Sequence, residues 1–279
     1  MKLAAAQIEC RPADIPGNMA LHLDAIAAAR AAGAELIVFP ELSLTDYLGD
    51  PDTAALARPR DGMELRRLAE AAGSAMASVG FIEAGEDGRV YNSQALLSNG
   101  RCLHVHRKVN LPAYGQLRET LSYAPGRAVI PAALPNGWSA ATLICADTWN
   151  PALPWLAAIQ HAELLIVPTA SSVDAVGGDF DNPGGWDLNL RHTAMTYGLP
   201  VVMVNHCGQR NGFRFWGGSR ILDAMGRELA RAGEAAGLVL AELSRDAVDR
   251  ARVQLPTIRD ADPMLIGAEL QRILSERRT

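Results

Sequence analysis

The residues best able to do chemistry are a thiol, a carboxylate and an ammonium in matching positions. Cys145 ends the apolar run 141–144 within AATLICADTWNPALPW, Glu41 follows ELIVFP, and Lys108 follows LHVHR. Each stands just past an apolar, strand-forming stretch, where open α/β sheets gather their ligand sites. After Cys145 a polar turn leads to Asn150-Pro151, which reads as a helix start because Asn caps helices and Pro suits their first turn. Cys145 is therefore expected on a tight strand-to-helix turn near the positive end of a helix dipole, a setting that favours thiolate over thiol. Taken singly, each residue has a plain structural explanation: a core cysteine, a turn carboxylate, a solvated lysine. Together they supply what amide hydrolysis requires, namely a nucleophile, a proton carrier and a partner for an oxyanion.

The surrounding elements must bring these residues together. Residues 3–8 read as a buried strand, and Asn18 as the cap of a helix to about residue 32, stopped by Gly33. ELIVF at 35–39 is a strand ended by Pro40, and a helix over 63–72 closes at Gly73. Strands near 77–83, 89–97 and 101–107 are joined by Asp87-Gly88 and Asn99-Gly100. Both pairs are type I′ hairpin signals, so an antiparallel meander is expected. Residues 108–126 form a long loop holding Tyr114, Arg118, Glu119 and Tyr123, and loops of that length are usually functional. Helix 152–161, strand 163–168, loop 169–185, helix 186–197 and strand 200–205 return to βαβ order. Strands 218–223 and 238–242 follow. Beyond Val253 the sequence suggests an extended arm and a short helix. One domain over 1–279, with helices packed outside sheets, accounts for the order.

Composition narrows the function classes. Of 279 residues 49% are apolar and 20% charged, enough for a sizeable core. The net charge of −5, with no basic stripe, argues against nucleic-acid or membrane-surface partners. Cys10, Cys102, Cys145 and Cys207 are scattered without a CxxC pair, so neither a zinc site nor a disulfide framework is expected. The Gly-Gly pairs at 177–178, 184–185 and 217–218 precede no GK[ST], so no phosphate loop or other cofactor is expected. MKLAAAQIECRP is too short and too soon polar for a signal peptide. No run approaches the ~18 apolar residues of a membrane span. A cytoplasmic protein is the expectation. Cys102, His104 and His106 alternate along one strand and so share a face, but the face leads to Lys108, which would repel a cation. No metal is expected there, and His192 and His206 read as structural.

With these motifs in hand, the chain resembles the nitrilase superfamily of carbon–nitrogen hydrolases, whose catalytic set is Glu, Lys and Cys. FPELSLTDY carries the glutamate, HRKVNLPAYG the lysine and LICADTWNP the cysteine, in the family's order over nearly the whole length. KLAAAQ and GLPVVMVN also look like family segments. The resemblance implies a four-layer αββα sandwich and a homodimer or higher even oligomer, with the arm 253–279 packing on a partner subunit. It also implies that Cys145 is the nucleophile and Glu41 the general base and acid, with Lys108 and the Ala146 N–H at the oxyanion. Such a carboxylate needs burial or a second acid to raise its pKa. Glu119, in YGQLRET, matches a second glutamate of many family members, with a salt bridge to neighbouring Arg118 as the lesser alternative.

The same resemblance bears on the substrate. Nitrile hydrolysers typically carry Trp directly after the cysteine, whereas Ala146 follows it here, which favours a small linear primary amide. C-A-D-T-W and LPAYGQLRE look most like the glutamine-hydrolysing domain of NAD synthetases, apart from Ala146, where that pattern has Glu. A nitrilase, an N-carbamoyl amidohydrolase, a glutaminase subunit feeding a separate synthetase, and a non-catalytic binding protein remain alternatives. Tyr47, Tyr114, Ala146, Trp149, Thr169 and Ser171 are the candidate substrate contacts, with Trp186 a further possible wall. The loop 171–187 holds Asp174, Asp179, Asp181 and Asp187 and no cation; it reads as a solvated, flexible lid, and the sharper alternative is an electronegative rim suited to an amino-acid ω-amide.

Overall fold

A computed structural model describes residues 1–277 apart from positions 50, 51, 116, 178 and 211. Gln116 of LPAYGQLRE, Gly178 of one Gly-Gly pair and the last two residues of the arm thus lie outside the described residues. Strand β1 (Lys2–Gln7) shows why the chain stacks in layers. Leu3 and Ala5 enter one core, Ala4 and Ala6 another, and all four are buried. A strand apolar on both faces needs cover on both, and its sequence loses polar alternation.

The elements after β1 are α1 (Ile15–Ala31), β2 (Leu36–Val38), α2 (Thr53–Leu56), α3 (Met63–Ala72), β3 (Met76–Ala84), β4 (Val90–Ser98), β5 (Arg101–Arg107) and α4 (Glu119–Ser122). Next come β6 (Ala132–Ala133), β7 (Ser139–Thr142), a 3₁₀ turn (Cys145–Trp149), α5 (Ala152–Ile159), β8 (Leu164–Thr169), α6 (Asn182–Tyr197) and β9 (Val201–Asn205). The chain ends with β10 (Cys207–Arg210), β11 (Phe213–Trp216), β12 (Arg220–Leu222), β13 (Glu228–Arg231), β14 (Gly237–Glu242), α7 (Arg245–Gln254) and α8 (Pro263–Glu276).

Two mixed sheets carry the order β14-β1-β2-β3-β4-β5 and β13-β12-β9-β8-β7-β6. The period of two in the buried strands sorts side chains into three cores. Leu3, Leu36 and Val38 meet Leu164, Ile166 and Val202 between the sheets. Ile37 and Val79 face Ile26 of α1 and Leu65 and Leu68 of α3. Leu165, Val167 and Met203 face Leu153 of α5 and Leu190 of α6. Helices, sheet, sheet, helices: this is the αββα order.

The meander β3-β4-β5 is antiparallel as the turn pairs predict. At Asn99-Gly100 both residues take positive φ, as a type I′ turn requires, but at Asp87-Gly88 only Gly88 does. Asp87 instead bends its carboxylate back to the Arg89 N–H, so that turn is longer and of another type. Helix α1 starts at Ile15, earlier than Asn18, because Asp14 accepts from Gly17 N and Pro16 favours the first turn. Asn18 is used otherwise, donating to Arg11 O and Leu44 O. Asp181 likewise caps α6, which begins at Asn182, four residues before the expected start. The β10-β11 hairpin and α7 carry no clear periodic signal and go unpredicted. Among the described residues no helix is long and apolar enough to cross a membrane.

Candidate active site

Glu41, Lys108 and Cys145 do converge. Glu41 follows β2 and Lys108 follows β5, both in the first sheet, while Cys145 follows β7 in the second. Lys108 Nζ donates to Glu41 Oε1 at 2.6 Å and to Glu119 Oε1 at 2.7 Å, and all three residues are buried. Asn92 Nδ2 adds a bond to Glu41 Oε1 at 2.7 Å, and the Ala170 N–H holds Oε2 at 2.9 Å. Glu119 does not pair with Arg118, whose guanidinium turns to the carbonyls of Gly115 and Leu117. It receives the Tyr47 hydroxyl at 2.9 Å instead.

Burial acts against the charged forms of Lys108, Glu119 and Cys145, and it prevails at the last two. It would push the Lys108 ammonium down, but Glu119 and Glu41 outweigh it and hold the pKa well above the ordinary lysine value. Glu119 is raised to about 7, by burial and the Glu41 charge against the pull of Lys108. Cys145 is pushed well above the ordinary thiol value, first by burial and then by Glu41. The expected preference for thiolate is therefore overturned. Two carboxylates face the sulfur, and only a short 3₁₀ turn, not a full helix, begins at Cys145. Asn150 is also not the cap of α5; Pro151 takes that place and Asn150 Oδ1 accepts from Ala152 N. The resting thiol thus carries its proton.

The turn itself is held by a residue the sequence reading passes over. Asp147 is fully buried; its Oδ1 accepts from Val109 N at 2.9 Å and Asn110 N at 2.7 Å. Its Oδ2 accepts from Ile144 N at 3.0 Å and faces His106 Nε2 at 3.0 Å. One carboxylate therefore ties the chain after Lys108 to the chain around Cys145. Cys145 itself sits at φ +47°, a left-handed conformation that costs a non-glycine residue energy and that the surrounding bonds must impose.

A cavity of about 280 Å³ opens over the thiol. Of the candidate contacts Tyr47, Tyr114, Ala146, Trp149 and Ser171 line it, and so does Trp186. Thr169 does not: it is fully buried, its hydroxyl spent on the Val167 carbonyl. The walls are mainly apolar, with Leu117, Ala175, Val176 and Phe180 beside the tryptophans, and Trp149 stands edge-on to both Phe180 and Trp186. None of the acidic residues of 171–187 lines it. Asp181 caps α6, and Asp187 is taken by Arg191 and Arg220. The electronegative rim is thus not formed at this cavity.

The Cys102-His104-His106 face is interrupted by a register shift between Leu96 and Leu97, and His106 belongs to Asp147. Among the described residues the grouping close enough to hold a metal is Cys10, Asp46 and His206, but the Arg210 guanidinium already fills it, bound to both Asp46 and His206. Cys207 is buried, its thiol pushed up to about 11 by that burial.

The carbon-nitrogen hydrolase profile matches residues 2–253. The chain belongs to the carbon–nitrogen hydrolase family. This carbon–nitrogen hydrolase is 32% identical over 271 residues to the "Hydrolase in pqqF 5'region" of Pseudomonas protegens, a match covering 95% of this chain and 90% of that protein. It is 30% identical over 230 residues to the glutamine-dependent NAD(+) synthetase of Thermotoga maritima, covering 81% of this chain and 39% of the synthetase. A solved variant of the amidase from Nesterenkonia sp. AN1, bearing the acetamide moiety of fluoroacetamide at its active-site cysteine, superposes with a TM-score of 0.78. The two are 26% identical, over 98% of this chain and 95% of that one. The αββα fold and the amidase-like resemblance of the motifs stand, and the protein is a hydrolase of C–N bonds.

Proposed function

We propose that this carbon–nitrogen hydrolase converts small primary amides with uncharged, largely apolar acyl groups to acid and ammonia through a thioester on Cys145. The observation that carries the reading is the buried Lys108 ammonium bridging Glu41 and Glu119 beside the cavity that Cys145 lines. Glu41 takes the thiol proton as sulfur attacks the amide carbon. Lys108 and the Ala146 N–H receive the oxyanion. Glu41 then passes the proton to the nitrogen, ammonia leaves, and the thioester remains. Water gives a proton to Glu41 and attacks the acyl carbon. The acid departs as sulfur regains that proton. Glu119, kept partly protonated by burial, moderates the charge that Lys108 feels, while Tyr47 holds it in place.

Specificity follows from the walls. Ala146 leaves room where a larger residue would close the cavity, and the aromatic side chains favour apolar groups. A substrate ammonium would find Glu119 as the one carboxylate among the lining residues described, and Lys108 already engages it. The reading therefore places propionamide, isobutyramide and benzamide ahead of asparagine and glutamine. Ammonia release across that panel tests it. Higher kcat/KM for glutamine than for every uncharged amide would overturn the specificity. Full turnover by Cys145→Ala would overturn the mechanism.

Assembly belongs to the same proposal. Helix α8 has no buried residue among those described, and Met264, Leu265 and Leu270 stand open to solvent. A second copy of the chain is the expected cover. Removal of residues 263–279 should lower the sedimenting mass, and an unchanged mass would refute the arm's part in the oligomer.

A further inference from the structure

At the main chain of Glu41 lies a buried arrangement that the chemistry above does not use. His206 Nε2 stands 2.6 Å from the Glu41 main-chain oxygen. A carbonyl can only accept, so Nε2 carries the proton and Nδ1 is left as an acceptor. Arg210 supplies the donor, with Nη2 2.9 Å from that Nδ1. The same guanidinium grips Asp46 with two prongs, Nε to Oδ2 at 2.5 Å and Nη2 to Oδ1 at 2.6 Å, and lies over the Phe215 ring. His206 is fully buried, and that burial lowers its pKa, in keeping with a neutral ring.

The segment they grip is the one that needs gripping. Glu41 and Tyr47 begin and end a loop that meets the ion cluster twice, Glu41 through Lys108 and Tyr47 through Glu119. Between them Leu42 at φ +50° and Asp46 at φ +66° occupy the left-handed region. Neither is glycine, so the loop does not hold this shape by its own preference and must be over-determined from outside. His206 fixes the loop at its first residue and Arg210 at Asp46. His206 follows β9 of the second sheet, and Arg210 ends β10 of the two-stranded β10-β11 hairpin.

We infer that His206 and Arg210, with Asp46, are positioning residues that hold the loop 41–47 in its strained form so that Glu41 meets Cys145 and Lys108 in reactive geometry. They touch neither substrate nor reacting atoms. The inference rests on the proposed role of Glu41 as the general base. In this arrangement the histidine works through one directed N–H and the arginine through its two-pronged fit. Replacements that keep those features differ in outcome from those that keep only size or charge.

The test uses the full-length enzyme with an uncharged amide substrate. It reads kcat, KM, the rate of Cys145 alkylation by chloroacetamide, and thermal unfolding. His206→Leu and Arg210→Met should lower kcat by about tenfold or more with KM changed by no more than about threefold, because a small misplacement of a base costs rate rather than binding. Alkylation should slow in parallel, since it draws on the same proton acceptor. His206→Gln puts an amide N–H where Nε2 stands and should recover most of the rate. Arg210→Lys keeps the charge but not the fork and should stay as slow as Arg210→Met. Wild-type kcat in folded His206→Leu or Arg210→Met overturns the inference, as does a fall in kcat with alkylation unchanged. Should His206→Leu not fold, Arg210→Lys decides: wild-type kcat overturns and a loss of about tenfold supports. Glu41→Gln and Cys145→Ala are run alongside. If they retain turnover, the underlying mechanism fails; if they abolish it, only the positioning claim is at stake.

Discussion

Gly80 lies against the main chain of Glu41: a Cβ built on Gly80 would stand 2.8 Å from the Glu41 carbonyl carbon and 2.6 Å from the Pro40 oxygen. Both neighbours are backbone, so neither can swing aside. The contact is reinforced by Leu44 N donating to Gly80 O at 2.9 Å. Gly80→Ala should therefore displace Glu41 and destabilise the fold by about 1–3 kcal/mol, the usual cost of overpacking. Thermal unfolding and kcat on one amide check both. Normal turnover would show that Glu41 tolerates the shift.

Asp147 offers a second test. Its carboxylate is met by three backbone N–H groups and by His106. Asp147→Ala strands these donors in a buried site, at about 3 kcal/mol or more. Urea unfolding should reveal the loss, and Cys145 should alkylate more slowly as its turn loosens. Stability within experimental error of wild type would refute the tie.

His22 gives a pH dependence with a definite sign. Burial drops its pKa from 6.5 to about 4, while Nδ1 meets Asn18 O and Nε2 meets the Ser43 hydroxyl of the Glu41 loop. The unfolded chain binds the proton first, so the stability this neutral ring contributes is present above pH 6.5. It is lost as pH falls through 4. The shift corresponds to about 3 kcal/mol. His22→Gln should flatten that part of the stability profile, and an identical profile would count against it.

Glu119 runs the opposite way. Its folded pKa is raised to about 7 from 4.5, chiefly by burial, so the folded state holds the proton longer. Stability from this group is complete below pH 4.5 and is lost as pH rises through 7. Relative to wild type, Glu119→Gln should gain stability across that window, read by denaturation at pH 4.5, 6 and 7.5. A constant difference would exclude the raised pKa.

Much of this was legible in the sequence, for physical reasons. Runs such as ELIVF and LLIVP have no polar alternation because both faces are buried, and that marks them as inner strands of a layered fold. Glu41 and Cys145 stood out because each follows such a run, and Lys108 because it follows the strand that closes the meander. What stayed hidden depends on partners far along the chain. Asp147 looks like a turn residue until Val109 and Asn110 are placed beside it, and His206 looks like a core histidine until the Glu41 carbonyl arrives. The electronegative-rim alternative fails at Asp187 because Arg191 and Arg220, which pair with it, lie outside the loop. The thiolate expectation failed because a helix dipole was weighed without the two carboxylates facing the sulfur.

Glu41 and Lys108 leave one sheet and Cys145 leaves the other, and the bond from Ala170 N to Glu41 Oε2 crosses between them. Neither half of the molecule contains the whole of the proposed catalytic set. Turnover should therefore gauge assembly, appearing only once the two sheets have docked. During refolding, regained secondary structure should run ahead of regained activity by the time the halves take to meet.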